Sequence, residues 1–365
     1  MSSRYGLAAD QILQATVVTT DGRILVVDDT QNQDLLWAIR GGGPGLYGIV
    51  IEYVMRTFPL PKNVVVGSLS LSRTNASTAE ATWDALAALM RSLPDLMDRG
   101  VTGFGLATVQ DSTSCSRHGR MREVSVAMTL YTYNSTASDF QALIAPVRNR
   151  ILAATGSNTV SVELSPLQVL QDYLSLFSIL SPGESRCGDI SLSSSRLLGR
   201  RELTRLPHET VKTYLKRVTA SQVSGATSRL IIGLQGGPGP RDVEAGMRGA
   251  LTPAWRKAYL HVLATGASVD TQSATPQEAL VKAATWTEEH KERVWRDWAP
   301  DSGSYINEAN PFNTNFKYDF YGGHYDRLLE IKERYDPSYS LHVQSGVGSD
   351  AWDYNLDDGK LCRKE

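Results

Sequence analysis

The sequence predicts an α+β fold, and three observations carry that reading. Apolar residues alternate with period two in short runs such as 64–71 (VVVGSLSL) and 228–235 (SRLIIGLQ), as in half-buried strands. Elsewhere they recur at helical spacing, as do Trp83, Leu86, Leu89, Met90 and Leu93 in 78–93, or Leu280, Ala283, Trp286, Val294 and Trp295 in 276–298. The chain has 365 residues, enough for two domains or one large unit with a sizeable core. Strands separated by helices would also permit a parallel sheet, and the pattern by itself leaves that choice open.

In chain order, residues 1–60 read strand, turn, strand, helix, glycine turn, strand. The run 12–20 is rich in β-branched residues, Asp21-Gly22 is a hairpin signal, and 23–28 (RILVVD) is the return strand. Residues 62–300 begin with the strand at 64–71 and the helix at 78–93. Pro94 predicts an end or kink there, with a short second helix over 95–98. Strands follow over 101–110 and 123–134, then a helix over 138–154 with a kink at Pro146. Next come a strand over 160–164, a helix over 167–180, a short strand over 188–194 and a helix over 206–218. The run 255–265 (WRKAYLHVLAT) reads as a strong strand before the long helix at 276–298. In 301–365 one helix stands out, 325–335. Leu328, Leu329 and Ile331 are apolar, and Asp326 near its start and Lys332 and Arg334 near its end suit the helix dipole. Pro337 stops it.

Composition bounds the function classes. Hydrophobic residues make up 41% and charged residues 21%, the profile of an ordinary globular chain. A net charge of −2 gives no electrostatic reason to expect nucleic acid or an anionic membrane as partner, and no apolar run has the length of a membrane span. Cys115, Cys187 and Cys362 are too few and scattered for a disulfide framework or a zinc site; one disulfide plus a thiol and three thiols are the alternatives. The six histidines lack metal-ligand spacing, and no Gly-x-Ser-x-Gly elbow appears, so no metal site and no serine hydrolase are predicted. Asn75 and Asn134 head glycosylation sequons. The first residues lack the apolar segment of a signal peptide, and the compartment is not legible.

The most informative stretch is 34–59, DLLWAIRGGGPGLYGIVIEYVMRTFP. Gly41, Gly42, Gly43 and Gly45 fall within five positions, and Gly48 follows. Such density admits positive φ and close approach of another surface, and exposed amides in such a turn can form an anion-binding nest. No Lys-Ser/Thr follows, and the glycines come after a helix rather than a strand, so neither nucleotide-loop pattern fits.

The stretch resembles the LFWALRGGGGGNFGIVT segment of berberine-bridge-enzyme-like FAD-linked oxidases of the vanillyl-alcohol-oxidase (PCMH-type) superfamily. It departs at Pro44, Leu46 and Tyr47, and Pro44 removes one amide. The opening SRYGLAADQIL resembles the family's GRYGLAADQVL, and residues 304–340 resemble its C-terminal signature, with His324 in place of the usual Asn. The resemblance implies a PCMH-type flavin domain plus a substrate domain whose antiparallel sheet is covered by helices. It implies the division 1–61, 62–300 and 301–365, the last segment returning to the flavin domain. It places Gly6, Leu7 and Asp10 close to the flavin and Gly42, Gly43, Gly45, Gly48, Ile49 and Val50 along the dinucleotide. It runs the strand bearing Tyr305 and Asn307 past the flavin ring. The family's Arg-x-Gly-Gly-His loop and its cysteine, which supply covalent attachment, are not found in these residues. On this reading the chain holds the second half of a flavin domain.

The activity the resemblance implies is hydride transfer from a carbon next to O or N to FAD, with O2 as reoxidant and an alkaloid, phenolic or sugar as small-molecule substrate. Tyr305 is the leading catalytic candidate. A base is also required on the substrate sheet. Tyr131, Tyr133, Tyr259 and His261 are candidates, and Tyr259 and His261 share a strand face by spacing. Two rivals are a non-catalytic remnant that cannot hold FAD and a binding module without redox chemistry.

Overall fold

The computed structural model describes all residues except 75–77, 117–118, 157, 181–191, 356–357 and 365, and the side chains of 111–121. The sequon at Asn75, Cys187 and the side chain of Cys115 therefore lie outside the described residues. Cys362 is exposed and free.

Two cores organise the chain. The first is built on a three-stranded antiparallel sheet of β1 (Ile12–Val18), β2 (Ile24–Val27) and β3 (Ile49–Met55), ordered β2-β1-β3. The predicted hairpin forms at Asp21-Gly22, where Gly22 takes a φ of +81° and its amide donates to Thr19 O. Ile12, Ala15, Val17 and Val27 pack with the helix Gln33–Ile39 and with the C-terminal helix Tyr325–Tyr335, so both ends of the chain share this core. Ile49, Ile51, Tyr53, Val54 and Met55 of β3 are exposed along one edge.

The second core lies on an eight-stranded sheet. Its members are β4 (Val64–Arg73), β5 (Thr102–Ser116), β6 (Gly119–Tyr133), β7 (Val160–Leu164), β8 (Gln168–Leu170), β9 (Ser194–Gly199), β10 (Ser228–Leu234) and β11 (Ala258–Ala264). The order is β7-β4-β6-β5-β10-β11-β9 with β8 also on β4, and every pair is antiparallel. Helices Ala79–Asp98, Ala137–Thr155 and His208–Val218 cover one face, packing Leu86, Met90 and Leu215 with Met128, Leu230 and Val262. A small terminal hairpin, β12 (Trp352–Tyr354) and β13 (Leu361–Arg363), closes the chain.

Three expectations change. Helix Ala79–Asp98 continues past Pro94 instead of ending there. Losing one backbone bond at Pro costs roughly 3 kcal/mol, but Leu93, Leu96 and Met97 are each at most 2% exposed. Burying one such side chain is worth about 1.5–3 kcal/mol, so packing on both sides of the proline carries the helix on. Residues 167–180 split into β8 and the helix Tyr173–Leu180, with Asp172 Oδ1 capping Ser175 N at 2.7 Å. The strand at 255–265 starts three residues late, because Pro253 heads a 3-10 turn over Pro253–Arg256. Residues 188–191 of another predicted strand lie outside the described residues; β9 begins at Ser194.

Candidate active site

Between the two cores lies a cavity of about 630 Å³. Its lining includes Leu7 to Ala9, Ile12, Ile39, Gly41, Gly43, Pro44, and Tyr53 and Met55 of β3. The rest is Gln235, Leu251, Thr252, Trp255, the segment Ser304 to Glu308, and Phe320 of the first core. The lining is mostly apolar and, among the described residues, carries no Lys, Arg or His.

The segment bearing Tyr305 is anchored by the large sheet. Leu197 N donates to Gly303 O at 2.9 Å, and Ser304 Oγ donates to Ser195 O at 2.6 Å, so residues 302–304 run along β9. Tyr305 then caps a 3-10 turn over Ile306–Glu308 rather than continuing as a strand. The turn brings the Asn307 amide back, and its Nδ2 donates to the Tyr305 hydroxyl oxygen at 2.8 Å. The phenol therefore keeps its own proton free to donate. Behind it, Trp255, His261 and Tyr305 form an edge-packed aromatic trio, with centroids 5.6–6.1 Å apart.

His261 is only 3% exposed; Nδ1 lies 3.4 Å from Glu308 Oε2, and Nε2 has no partner. Burial pushes its pKa down to about 4, so the ring stays neutral well into the acid range. A depressed folded value makes the unfolded chain bind the proton first. Stability present above about pH 6.5 is therefore lost as the pH falls through 4, to an extent of roughly 3 kcal/mol. Urea unfolding at pH 7 and pH 4 is expected to show this loss in the native protein and a clearly smaller one in His261→Gln.

Tyr259 does not share the face of His261. β11 pairs Ala258 with Gly199 and Leu260 with Leu198, so Tyr259 is the extra residue of a bulge. It turns to the helix side, where its hydroxyl donates to Asp98 Oδ1 at 2.8 Å and accepts from Arg200 and Arg241 at 3.2 Å each. Tyr131 and Tyr133 pack with Tyr173 in a separate small cluster and are not among the residues lining the cavity.

The glycines divide by what a Cβ would meet. At Gly42 it would lie 2.5 Å from Leu328 and 2.7 Å from Ala38 O, and at Gly48 2.6 Å from Val17. Packing within the chain by itself demands glycine at these two positions. Gly6, with φ of +93°, would meet Val243 at 2.9 Å. Gly45 faces open space, and Gly43 meets only Leu46. The expected amide nest is largely absent: Gly41 N and Gly42 N donate to Ile39 O and Ala38 O and cap the helix, which leaves at most Gly43 and Gly45. Asp10 is also spoken for, since its carboxylate accepts from Arg256 at 2.7 and 3.0 Å and from Leu7 N at 2.9 Å. Ile49 and Val50 do not reach the cavity; Tyr53 and Met55 of the same strand do. Of the expected site residues, Leu7, Gly43, Tyr305 and Asn307 line it, with His261 directly behind. Trp255, Gln235 and Glu308 were missed. Only Glu308 had a signal, its place next to Asn307.

A trio of Asp84, His208 and Glu209 has the spread of a metal site among the described residues. Lys212 Nζ already fills it, 2.8 Å from both Asp84 and Glu209.

A family model described as "Berberine and berberine like" matches residues 304–348, the segment that carries Tyr305 and Asn307. The FAD-linked oxidoreductase apf9 of Gibberella fujikuroi is 31% identical over 364 residues, spanning 98% of this chain and 59% of the relative. Over nearly its whole length the chain is similar to the berberine-bridge-like, VAO-type FAD-binding family. The VAO-type flavoprotein oxidase VAO615 of Thermothelomyces thermophilus is 30% identical over all of the chain and 58% of its own length. Among solved structures, the VAO-type flavoprotein MtVAO713 of Myceliophthora thermophila C1 superposes with a TM-score of 0.84 at 27% identity, covering 99% of this chain and 60% of that one. The berberine-bridge-like chain thus spans just under three fifths of the relatives it matches. The α+β fold with an antiparallel second sheet is that of VAO-type flavoproteins. Members of the family bind FAD.

Proposed function

We propose that the cavity is the flavin- and substrate-facing site of an FAD-linked oxidoreductase that acts on a small molecule, with O2 as reoxidant. Residues 1–61 and 301–365 would form its flavin side and 62–300 its substrate side. The observation that carries the reading is the Tyr305–Asn307 pair, set in the wall of an apolar cavity that the glycine turn also lines.

The residues present fit one end of FAD better than the other. The apolar wall of Leu7, Ile12, Ile39 and Met55 and the open side of Gly43 suit a flat ring system. Among the described residues nothing cationic lines the cavity to face a diphosphate, and the helix cap consumes amides that could have done so. When bound, the flavin supplies the acceptor for a hydride from substrate carbon. Tyr305 would accept the hydrogen bond of the substrate O–H or N–H and, to take up its proton, would pass its own phenolic proton on to a neutral acceptor, for which the unpartnered Nε2 of His261 is available. Asn307 fixes the phenol, and Trp255 and Leu251 exclude water. His261, neutral behind Tyr305, offers an unpartnered acceptor.

That one-ended fit also supports a second reading, a chain with this fold that holds FAD weakly by itself. Titration with FAD followed by desalting tests both. A retained yellow protein that forms peroxide with a substrate supports the enzyme and excludes a module without redox chemistry. A colourless protein that takes up no FAD overturns the enzyme reading for this chain.

A further inference from the structure

Glu308 is the one residue with a formal charge among the described residues lining the cavity. Its side chain is half exposed, and its single close polar neighbour is the His261 ring, which burial keeps neutral. No Lys or Arg among the described residues pairs with it. Other carboxylates nearby are matched: Asp10 by Arg256, Glu288 by Arg296, Asp319 by Arg196. The cavity thus carries one unbalanced negative charge. Four aromatic side chains share the lining with it, Trp255, Tyr305, Tyr53 and Phe320. A carboxylate with aromatic rings attracts an ammonium group both by charge and through the ring quadrupole. It offers a polyhydroxylated sugar few partners, since Gln235, Thr252, Ser304 and Asn307 are the remaining polar side chains and Asn307 is already engaged.

We infer that the cavity selects substrates carrying a basic nitrogen, and that Glu308 is the specificity-determining residue which holds the ammonium. This rests on the cavity being the substrate site, but not on flavin turnover.

The test is equilibrium binding to the full chain, read by quenching of tryptophan fluorescence, with three probes: phenethylamine, its neutral counterpart 2-phenylethanol, and phenyl β-glucoside. Phenethylamine is expected to bind about tenfold more tightly than the alcohol, as one partly exposed charge contact with an aromatic contribution would give. Glu308→Gln is expected to abolish that ratio and to leave the melting temperature unchanged, since the side chain is half exposed. Equal binding of amine and alcohol, tightest binding of the glucoside, binding of none of the three, or a ratio that survives in Glu308→Gln overturns the inference. Failure of the flavin titration would leave this ratio measurable, so the two readings fail separately.

Discussion

Asp319→Asn is expected to destabilise the protein by about 3–5 kcal/mol, the range for breaking a buried ion pair on one side. Asp319 and Arg196 are both fully buried, with Arg196 Nη1 donating to Asp319 Oδ1 at 2.7 Å. The second carboxylate oxygen accepts from Arg296 Nε and Asn313 Nδ2 at 3.0 Å each. Glu292 lies beside them, but burial pushes its carboxyl up to about 8, so at neutral pH it adds no compensating charge. Asp319 is then the anion that the buried Arg196 depends on. Removing its charge strands a guanidinium with no route to water. The melting temperature should fall by on the order of 10 °C. Arg196→Met with Asp319→Leu should be more stable than either single change, because it removes the charge and its partner together. A loss under about 1 kcal/mol for Asp319→Asn would show that the pair does not hold this region. The loss should also reach the cavity. Asp319 O accepts from Ser304 N at 2.6 Å, and Arg196 donates to Ala299 O, so the pair clamps both ends of the segment leading to Tyr305.

That clamp was invisible in the sequence, where its partners stand 123 positions apart. What was legible is local. The strand Val160–Leu164 and the helix Tyr325–Tyr335 fall where periodicity places them, since each buries one face and is punctuated by its own turn residues. The long helix over 276–298 is continuous as expected, but with a π turn at Glu288–Glu292 that no pattern announces. Errors arose where one residue's meaning depends on distant neighbours. Asp10, expected close to the flavin, is engaged by Arg256. Gly42 and Gly48 looked like ligand-facing glycines until Leu328 and Val17 filled the space above them. Tyr259 and His261 looked like partners because period two was carried through a bulge, and one extra residue sends the two side chains to opposite faces. Tyr305 and Asn307 were brought together for a different reason than expected. A strand would align them side by side, whereas the 3-10 turn lets the amide bond the phenol directly. The resemblance found the segment; spacing alone would have given the wrong local geometry.

Tyr305→Phe is expected to lower kcat by about 100-fold or more in FAD-loaded protein, the usual effect of removing a positioned proton-transfer group. The substitution keeps the ring, so the edge contacts to Trp255 and His261 persist and stability should hardly change. KM should move little if the phenol acts mainly in the transition state, where the substrate O–H or N–H releases its proton. Asn307→Ala tests the mechanism from the other side. Its amide donates to the phenol oxygen, so it stabilises negative charge there and fixes the side chain's direction. Losing it should cost roughly fivefold in kcat, since one neutral hydrogen bond is worth about 1 kcal/mol. In the double variant the cost of Asn307→Ala should vanish, because it acts only through the Tyr305 hydroxyl. Stopped-flow reduction of the flavin by substrate separates this step from reoxidation. If Tyr305→Phe reduces the flavin at the native rate, the phenol is a wall residue. The acceptor would then be sought at His261, whose unpartnered Nε2 lies in the same aromatic trio.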